Sequence, residues 1–390
     1  MSNTDFKLHS EYLIKLLRAA LNSECISVMP DEIPAKIDMK KIFYLAKLHS
    51  VAPAVYPVIK DSPLPAARLF EEEYKRSWRK NAIQYIELSN ILSKTDEFSI
   101  NCIPLKGSVL KYLYPSPEMR TMADIDFLYD GRKTSDILLI MYALGYTANP
   151  DSPNHHTFYK EPVMNVEFHE NLFKKDNDFT EFFNPGWRYS KQTGKDKPLR
   201  ELTDEGFYIY LVAHTAQHFH NGGAGIRNVM DVWVYLKKYK DTLDWKYIDL
   251  EFRRAGIYNF AENLKDLADI WFGSSKASPL LDEFGDYIIR SGTYGTRANQ
   301  INNTLCKEGR LSTNKLRVIF RTIFPPYEII KSKYPNAGKY PFLLPIYWIK
   351  NDLNALINRK QDIKYWIRTI SKANEKKIKD HSEFMKNCGL

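Results

Sequence analysis

Apolar residues recur three and four apart over residues 7–22 and 39–49, which predicts amphipathic helices. The run Leu48-His49-Ser50-Val51-Ala52-Pro53 predicts a helix end feeding a second helix near Val55–Ile59. Residues 65–97 continue the helical pattern with many charges and no internal Pro or Gly. Between 100 and 170 the period changes. Ile103–Leu105 and Ile125–Tyr129 predict strands, with a short helix over 108–113 between them and a helix over 133–144 closed by Gly145. Thr147 predicts the start of a third strand. His156–Tyr159 and Met164–His169 alternate as a strand pair joined at Glu161-Pro162. From 203 the pattern is helical again. Thr203 predicts an N-cap followed by acidic residues and a helix over 205–220, which Gly222-Gly223-Ala224-Gly225 breaks. Further helices fit 226–239, 246–271 and 280–290. The Pro- and aromatic-rich 324–347 predicts a wrapping segment, and the basic 371–380 a frayed helix.

This order predicts an α+β protein: a small mixed β-sheet core flanked by N-terminal and C-terminal helical regions. The expected divisions are 1–98, 99–200 and 201–390. At 390 residues the chain has length for two or three domains, and its apolar and charged fractions are those of a globular protein. The net charge of +9, much of it in the last third, favours an anionic partner. Cys25, Cys102, Cys306 and Cys388 are far apart and form no CxxC, so a structural zinc site is not expected. The start, MSNTDFKLHSEYL, lacks a signal-peptide pattern. The longest apolar run, PFLLPIYWI, is broken by Pro345 and falls short of the ~18 residues a membrane span needs. The expectation is a cytoplasmic protein with no membrane span.

The candidate chemistry concentrates between Ile103 and His169. Asp124 and Asp126 are one residue apart on a predicted strand, so they share a face and can share a divalent cation. On the later strand Asn165, Glu167 and His169 share one face while Val166 and Phe168 take the other. If the two strands are neighbours, the three carboxylates converge on Mg²⁺ or Mn²⁺. Gly107-Ser108 opens a helix after a strand, a place suited to phosphate, with Lys106 and Arg120 beside it as counter-charges. Plain turn chemistry competes for Gly107-Ser108, and an ion pair with Asp124 competes for Arg120. His169 stands to orient Glu167 or touch an acceptor, with an ordinary hydrogen-bonded histidine as the alternative.

His214 and His218 lie one turn apart, as do Arg227 and Asp231. The bland readings are a hydrogen-bonded histidine pair and an Arg227–Asp231 ion pair; the functional one puts His214, His218 and Arg227 along a substrate cleft. The ordinary reading of Lys372, Lys376, Lys377 and Lys379 is a solvated helix face, and nucleic acid is not the favoured partner.

The combination of Leu105-Lys106-Gly107, Tyr114-Pro115, Met119-Arg120 ahead of Asp124-Ile125-Asp126, and Val166-Glu167-Phe168-His169 resembles the polymerase-beta-like nucleotidyltransferase superfamily. More narrowly it resembles the bacterial uncharacterised nucleotidyltransferase family. His214-x3-His218, Arg227-x3-Asp231 and Leu48-His49-Ser50-Val51-Ala52-Pro53 extend the resemblance over roughly residues 40–350. The spacing between Gly107-Ser108 and Asp124 is longer than in compact members. The resemblance implies a metal-dependent transferase that moves a nucleoside monophosphate from an NTP to an unidentified small-molecule, sugar, peptide or protein acceptor, with Asp124, Asp126 and Glu167 as metal ligands. Two other readings remain at this point: a glycosyltransferase holding a sugar nucleotide through Asp124-x-Asp126, and a nucleotide-binding module without catalysis.

Overall fold

The computed structural model describes residues 2–390 apart from 25–32, 150–155, 174–177, 196, 277, 307–310, 335, 338–339 and 359. Four helices come first: α1 (Asn3–Asn22), α2 (Met39–Leu48), α3 (Ala52–Ile59) and α4 (Ala67–Glu97). Then follow β1 (Cys102–Pro104), α5 (Gly107–Leu110), β2 (Ile125–Tyr129), α6 (Thr134–Ala143), β3 (Thr147–Asn149), β4 (His156–Lys160) and β5 (Met164–His169). After α7 (Asp178–Phe183) and the small hairpin β6 (Ser190–Gln192) and β7 (Arg200–Leu202), the chain is helical. It continues as α8 (Asp204–His220), α9 (Ile226–Tyr239), α10 (Trp245–Arg254), α11 (Tyr258–Phe272), α12 (Pro279–Ser291), α13 (Arg297–Leu305), α14 (Leu311–Ile323) and α15 (Tyr327–Lys333). Three later helices span Leu344–Asn358, Lys360–Lys372 and Glu375–Cys388.

The main sheet has five strands in the order β1-β2-β5-β4-β3. Only β2 and β5 run parallel, because α6, β3 and β4 lie between them in the chain and return it to the same end. The two faces of the sheet differ. Ile125, Phe127 and Tyr129 of β2 and Val166 and Phe168 of β5 pack with Ile91 of α4 and Ile137, Ile140 and Met141 of α6 in one core. Phe127 stacks on Phe168 with ring centroids 4.9 Å apart. Leu128 points to the opposite face and joins the larger helical core, so it shares a face with the β2 carboxylate rather than with Ile125 and Phe127.

That larger core mixes both ends of the chain. Leu13, Leu16 and Leu17 of α1 and Ile42 of α2 are buried with Val212 of α8, Val229 of α9 and Leu264 of α11. Burying each such side chain contributes about 1.5–3 kcal/mol, so residues from both helical regions are tied to one core. A third, small cluster of Ile301, Leu305, Ile370 and Ile378 holds the last helices to α13.

Local chemistry explains several boundaries. Thr203 caps α8 by accepting from the Gly206 N–H at 3.0 Å. The apolar period over 246–271 is cut at Gly256, whose φ of +74° ends α10 and starts α11 on a new axis. The basic tail is a capped helix: Asn374 accepts from the Lys377 N–H at 2.9 Å. The segment 324–347 carries helical turns of its own, α15 among them.

Candidate active site

The loop before β2 is held from above by α4. Ser77 donates to the Glu118 carbonyl (2.7 Å), Lys80 to Ala123 (3.0 Å), Asn81 to Pro117 (2.8 Å) and Gln84 to Met122 (3.4 Å). These four side chains fall at helical spacing on one face of α4. They tie the loop backbone to α4 at four points. The loop therefore delivers Asp124 and Asp126 at a fixed height.

In the parallel pair, Asp126 lies directly opposite Glu167. Parallel partners point to the same face, so the two carboxylates are neighbours there. His169, two residues on, places Nε2 3.0 Å from Asp126 Oδ1 and 3.5 Å from Glu167 Oε2. One ligand atom from each of Asp126, Glu167 and His169 lies within 4.8 Å of the others. Asp124 stands just before β2, outside this trio but near enough for its charge to repel those of Asp126 and Glu167.

Lys106 leaves β1 with φ +44° and ψ −115°, a conformation disfavoured for a residue with a Cβ. The turn points its ammonium at Asp126 Oδ2, 3.2 Å away, close enough to Tyr210 for its charge to be felt there. Burial would raise the Asp126 pKa, but Lys106 and His169 outweigh it and hold the carboxyl well below its usual range. Burial likewise opposes the charge on Lys106, and the carboxylates of Asp126 and Asp124 overcome it and raise the pKa. Asp124 and Glu167 behave differently. Burial, and then repulsion from Asp126, raises both.

The Gly-Ser turn is built otherwise than a phosphate loop. The N–H of Ser108 goes to the Leu105 carbonyl, and those of Val109 and Leu110 go to Lys106. A Cβ on Gly107 would run into the Arg120 guanidinium and lie 2.6 Å from Met122 Cγ. Gly107 is thus required by close packing. Ser108 is buried and its hydroxyl has no partner.

Neither Arg120 nor Arg227 takes the ion-pair partner that sequence spacing suggests. Arg120 pairs not with Asp124 but with Asp231, through two bonds of 2.8 Å. Arg227 does not pair with Asp231; its Nη1 donates to the Thr121 carbonyl at 3.3 Å. Among the described residues no carboxylate forms a salt bridge with Arg227, whose charge is felt by Asp124.

α8 closes the site from the helical side. Tyr210, His214 and His218 recur every four residues along one face. The two imidazoles meet Nε2 to Nε2 at 3.1 Å. Burial, then the cation of Lys106, pushes His214 well below its ordinary pKa, so it is neutral. Sequence reasoning missed Tyr210, although its position one turn before His214 was a usable signal. It also missed Lys80, whose ammonium the Asp124 charge reaches and which nothing in the charged pattern of α4 singles out.

Asp126, Glu167 and His169 share one sheet face, Asp124 stands just ahead of it, and the cations Lys106 and Arg227 lie around them. The donors fit Mg²⁺ or Mn²⁺: oxygens dominate, the one nitrogen suits Mn²⁺ better, and the crowding that raises Asp124 and Glu167 is relieved by a cation. The uncharacterised nucleotidyltransferase family model matches residues 35–273, and the chain belongs to that family. No curated protein and no solved structure matches it. No helix among the described residues is long and apolar enough to cross a membrane.

Proposed function

We propose that the protein transfers a nucleoside monophosphate from an NTP to a hydroxyl group of a second substrate, with Mg²⁺ or Mn²⁺ held by Asp124, Asp126 and Glu167. The observation that carries this reading is the in-register, parallel pairing of Asp126 with Glu167, with Lys106 against the same carboxylate. The acceptor oxygen attacks the α-phosphorus, the bond from that phosphorus to the bridging oxygen breaks, and pyrophosphate leaves. Glu167, beside Asp126 on the same sheet face, takes the hydroxyl proton. The bound metal supplies charge neutralisation of the triphosphate and acidifies the attacking hydroxyl.

Lys106, Arg227 and Lys80 are the cations that act on the site carboxylates and would meet the phosphates, while Arg120 is turned to Asp231. Gly107 and Ser108 then serve by packing and by setting the turn that aims Lys106. The α8 face of Tyr210, His214 and His218 borders the acceptor side of the cleft. A cytoplasmic setting accords with NTP supply.

The test is pyrophosphate release from each of the four NTPs with Mg²⁺ or Mn²⁺, together with thermal shift by the same nucleotides. Wild type is expected to be stabilised and to label an acceptor or itself, and Asp126→Asn to lose metal-dependent NTP stabilisation and turnover. Equal stabilisation and turnover in Asp126→Asn overturns the assignment. Stabilisation by UDP- or GDP-sugars in place of NTPs turns it to glycosyl transfer.

A further inference from the structure

The charge of the chain is not spread over it. Residues 311–372 hold twelve Lys and Arg against three Asp and Glu, so the whole net charge of +9 resides in this segment. The segment lies beyond the part matched by the family, which ends at residue 273. Its helices are also apolar on faces that no core covers. On α14, Val318 and Ile319 pack toward the small cluster of Ile301 and Leu305, while Leu316, Phe320 and Ile323 stand exposed. On the helix Leu344–Asn358, Ile346, Ile349 and Leu353 are exposed at helical spacing. Phe320 and Ile349 are each more than half accessible, at 61 % and 62 %.

The two stripes are joined by aromatic rings. Phe320 meets Phe324 at 4.9 Å between centroids, and Phe324 meets Trp348 edge-on at 5.2 Å. The Trp348 indole N–H is fixed on the Pro325 carbonyl at 2.9 Å. One surface therefore carries aliphatic side chains, a tryptophan at its seam, and exposed cations such as Arg317, Arg321 and Lys350. Exposed apolar area of this extent marks an interaction surface.

We propose that this surface docks on an anionic phospholipid bilayer, with Leu316, Phe320, Ile323, Ile346, Ile349 and Leu353 entering the interface and the Lys and Arg residues meeting the headgroups. Amphipathic helices with this division of residues lie in the plane of a membrane, and anionic lipid concentrates cations of this density. Charge complementarity selects the occupant. A second copy of the same surface would oppose one excess of positive charge with another. Nucleic acid would meet the cations and could stack on Phe320, but the five aliphatic side chains beside it, Leu316, Ile323, Ile346, Ile349 and Leu353, offer bases no stacking face. The inference is independent of the transferase reading, because none of its residues lies in the sheet site.

Co-sedimentation of the full chain with vesicles tests it. The chain is expected to pellet with vesicles of phosphatidylcholine plus phosphatidylglycerol, weakly with phosphatidylcholine alone, and less as salt rises. Leu316→Ser with Ile349→Ser, and separately Arg317→Glu with Arg321→Glu, are each expected to weaken binding at least about tenfold. Their thermal melts should match wild type, since these side chains are exposed. Asp126→Asn should bind vesicles as wild type does, which separates failure of this inference from failure of the catalytic one. Absence of binding to the anionic vesicles overturns the proposal. So does RNA binding that the charge variant loses while vesicles are ignored, or a dimer that the serine variant breaks while vesicles are ignored.

Discussion

Arg120 and Asp231 form a bidentate pair buried between the loop ahead of β2 and helix α9: Nε donates to Oδ1 and Nη2 to Oδ2, both at 2.8 Å. Tyr114 adds its hydroxyl to Oδ1 at 2.7 Å. Fork-to-carboxylate geometry of this kind fixes orientation as well as distance. It sets how α9, and with it Arg227, faces the carboxylates of the sheet. It also removes Arg120 from the cations free to meet a phosphate.

Breaking this pair from one side should be costly. Asp231→Ala leaves a guanidinium buried without a counter-charge, which typically costs about 3–5 kcal/mol. Replacing the set together, Arg120→Met with Asp231→Leu and Tyr114→Phe, leaves no orphaned polar group and should recover at least half of that. Urea unfolding of the two variants measures the difference. Equal losses would mean that the pair contributes more than the relief of its own burial.

Glu167 should trade stability for function. Burial, and then Asp126 and Asp124, raises its pKa in the fold. The unfolded chain ionises this group more readily, so its charge weighs against the fold once pH rises above the ordinary carboxylate range. Glu167→Gln is expected to melt higher than wild type at neutral pH and to lose that advantage at acid pH, where both forms are neutral. Turnover should fall at least about 10²-fold, as for loss of a general base. Melting curves across pH, paired with pyrophosphate release, check both; a lower melting temperature at neutral pH refutes the electrostatic argument.

His49 should make the helical core acid-sensitive. It is fully buried. Its Nδ1 accepts the first N–H of α9, from Ile226, at 3.2 Å, and its Nε2–H donates to the Ile289 carbonyl at 2.9 Å. Burial pushes its pKa from 6.5 down to about 4. The unfolded chain takes up the proton near 6.5, and the folded one resists until about 4. The contribution to stability is therefore complete above 6.5 and is lost as pH falls through that window, by about 3 kcal/mol in all. His49→Gln keeps a donor and an acceptor without titrating, so its unfolding free energy should fall less between pH 6.5 and 4. Parallel slopes for both proteins would contradict this.

The sheet was legible because its strands obey simple alternation. Val166 and Phe168 against Glu167 and His169 require two faces of opposite character, and the parallel β2–β5 pairing follows from the intervening helix and hairpin. What the sequence hid were contacts across long separations. Arg227 and Asp231, one turn apart on α9, invite pairing, yet Asp231 is taken by Arg120, 111 residues away. Burial with a better-aligned partner outweighs proximity on one helix, where such a pair is worth only a few tenths of a kcal/mol. The strands β6 and β7 are three residues each, too short to show a period. Helix α14 was missed because its apolar residues face two ways, toward the small core and outward.

Gly107 separates a packing role from a phosphate role. Its Cβ position is occupied by the Arg120 guanidinium and the Met122 thioether. Met122 is buried and flexible, but Arg120 is pinned through Nε and Nη2 by Asp231, so its Nη1 cannot yield without breaking that pair. Gly107→Ala should therefore destabilise by about 1–3 kcal/mol, the usual cost of overpacking. Shortening the opposing side chain with Met122→Ala leaves the clash with Arg120 and should not rescue it. Adding the apolar replacement of Arg120, Asp231 and Tyr114 removes the fixed neighbour and should make Gly107→Ala nearly silent. If instead Gly107→Ala weakens NTP binding while its unfolding free energy stays at the wild-type value, the glycine is there for a phosphate and the packing account fails.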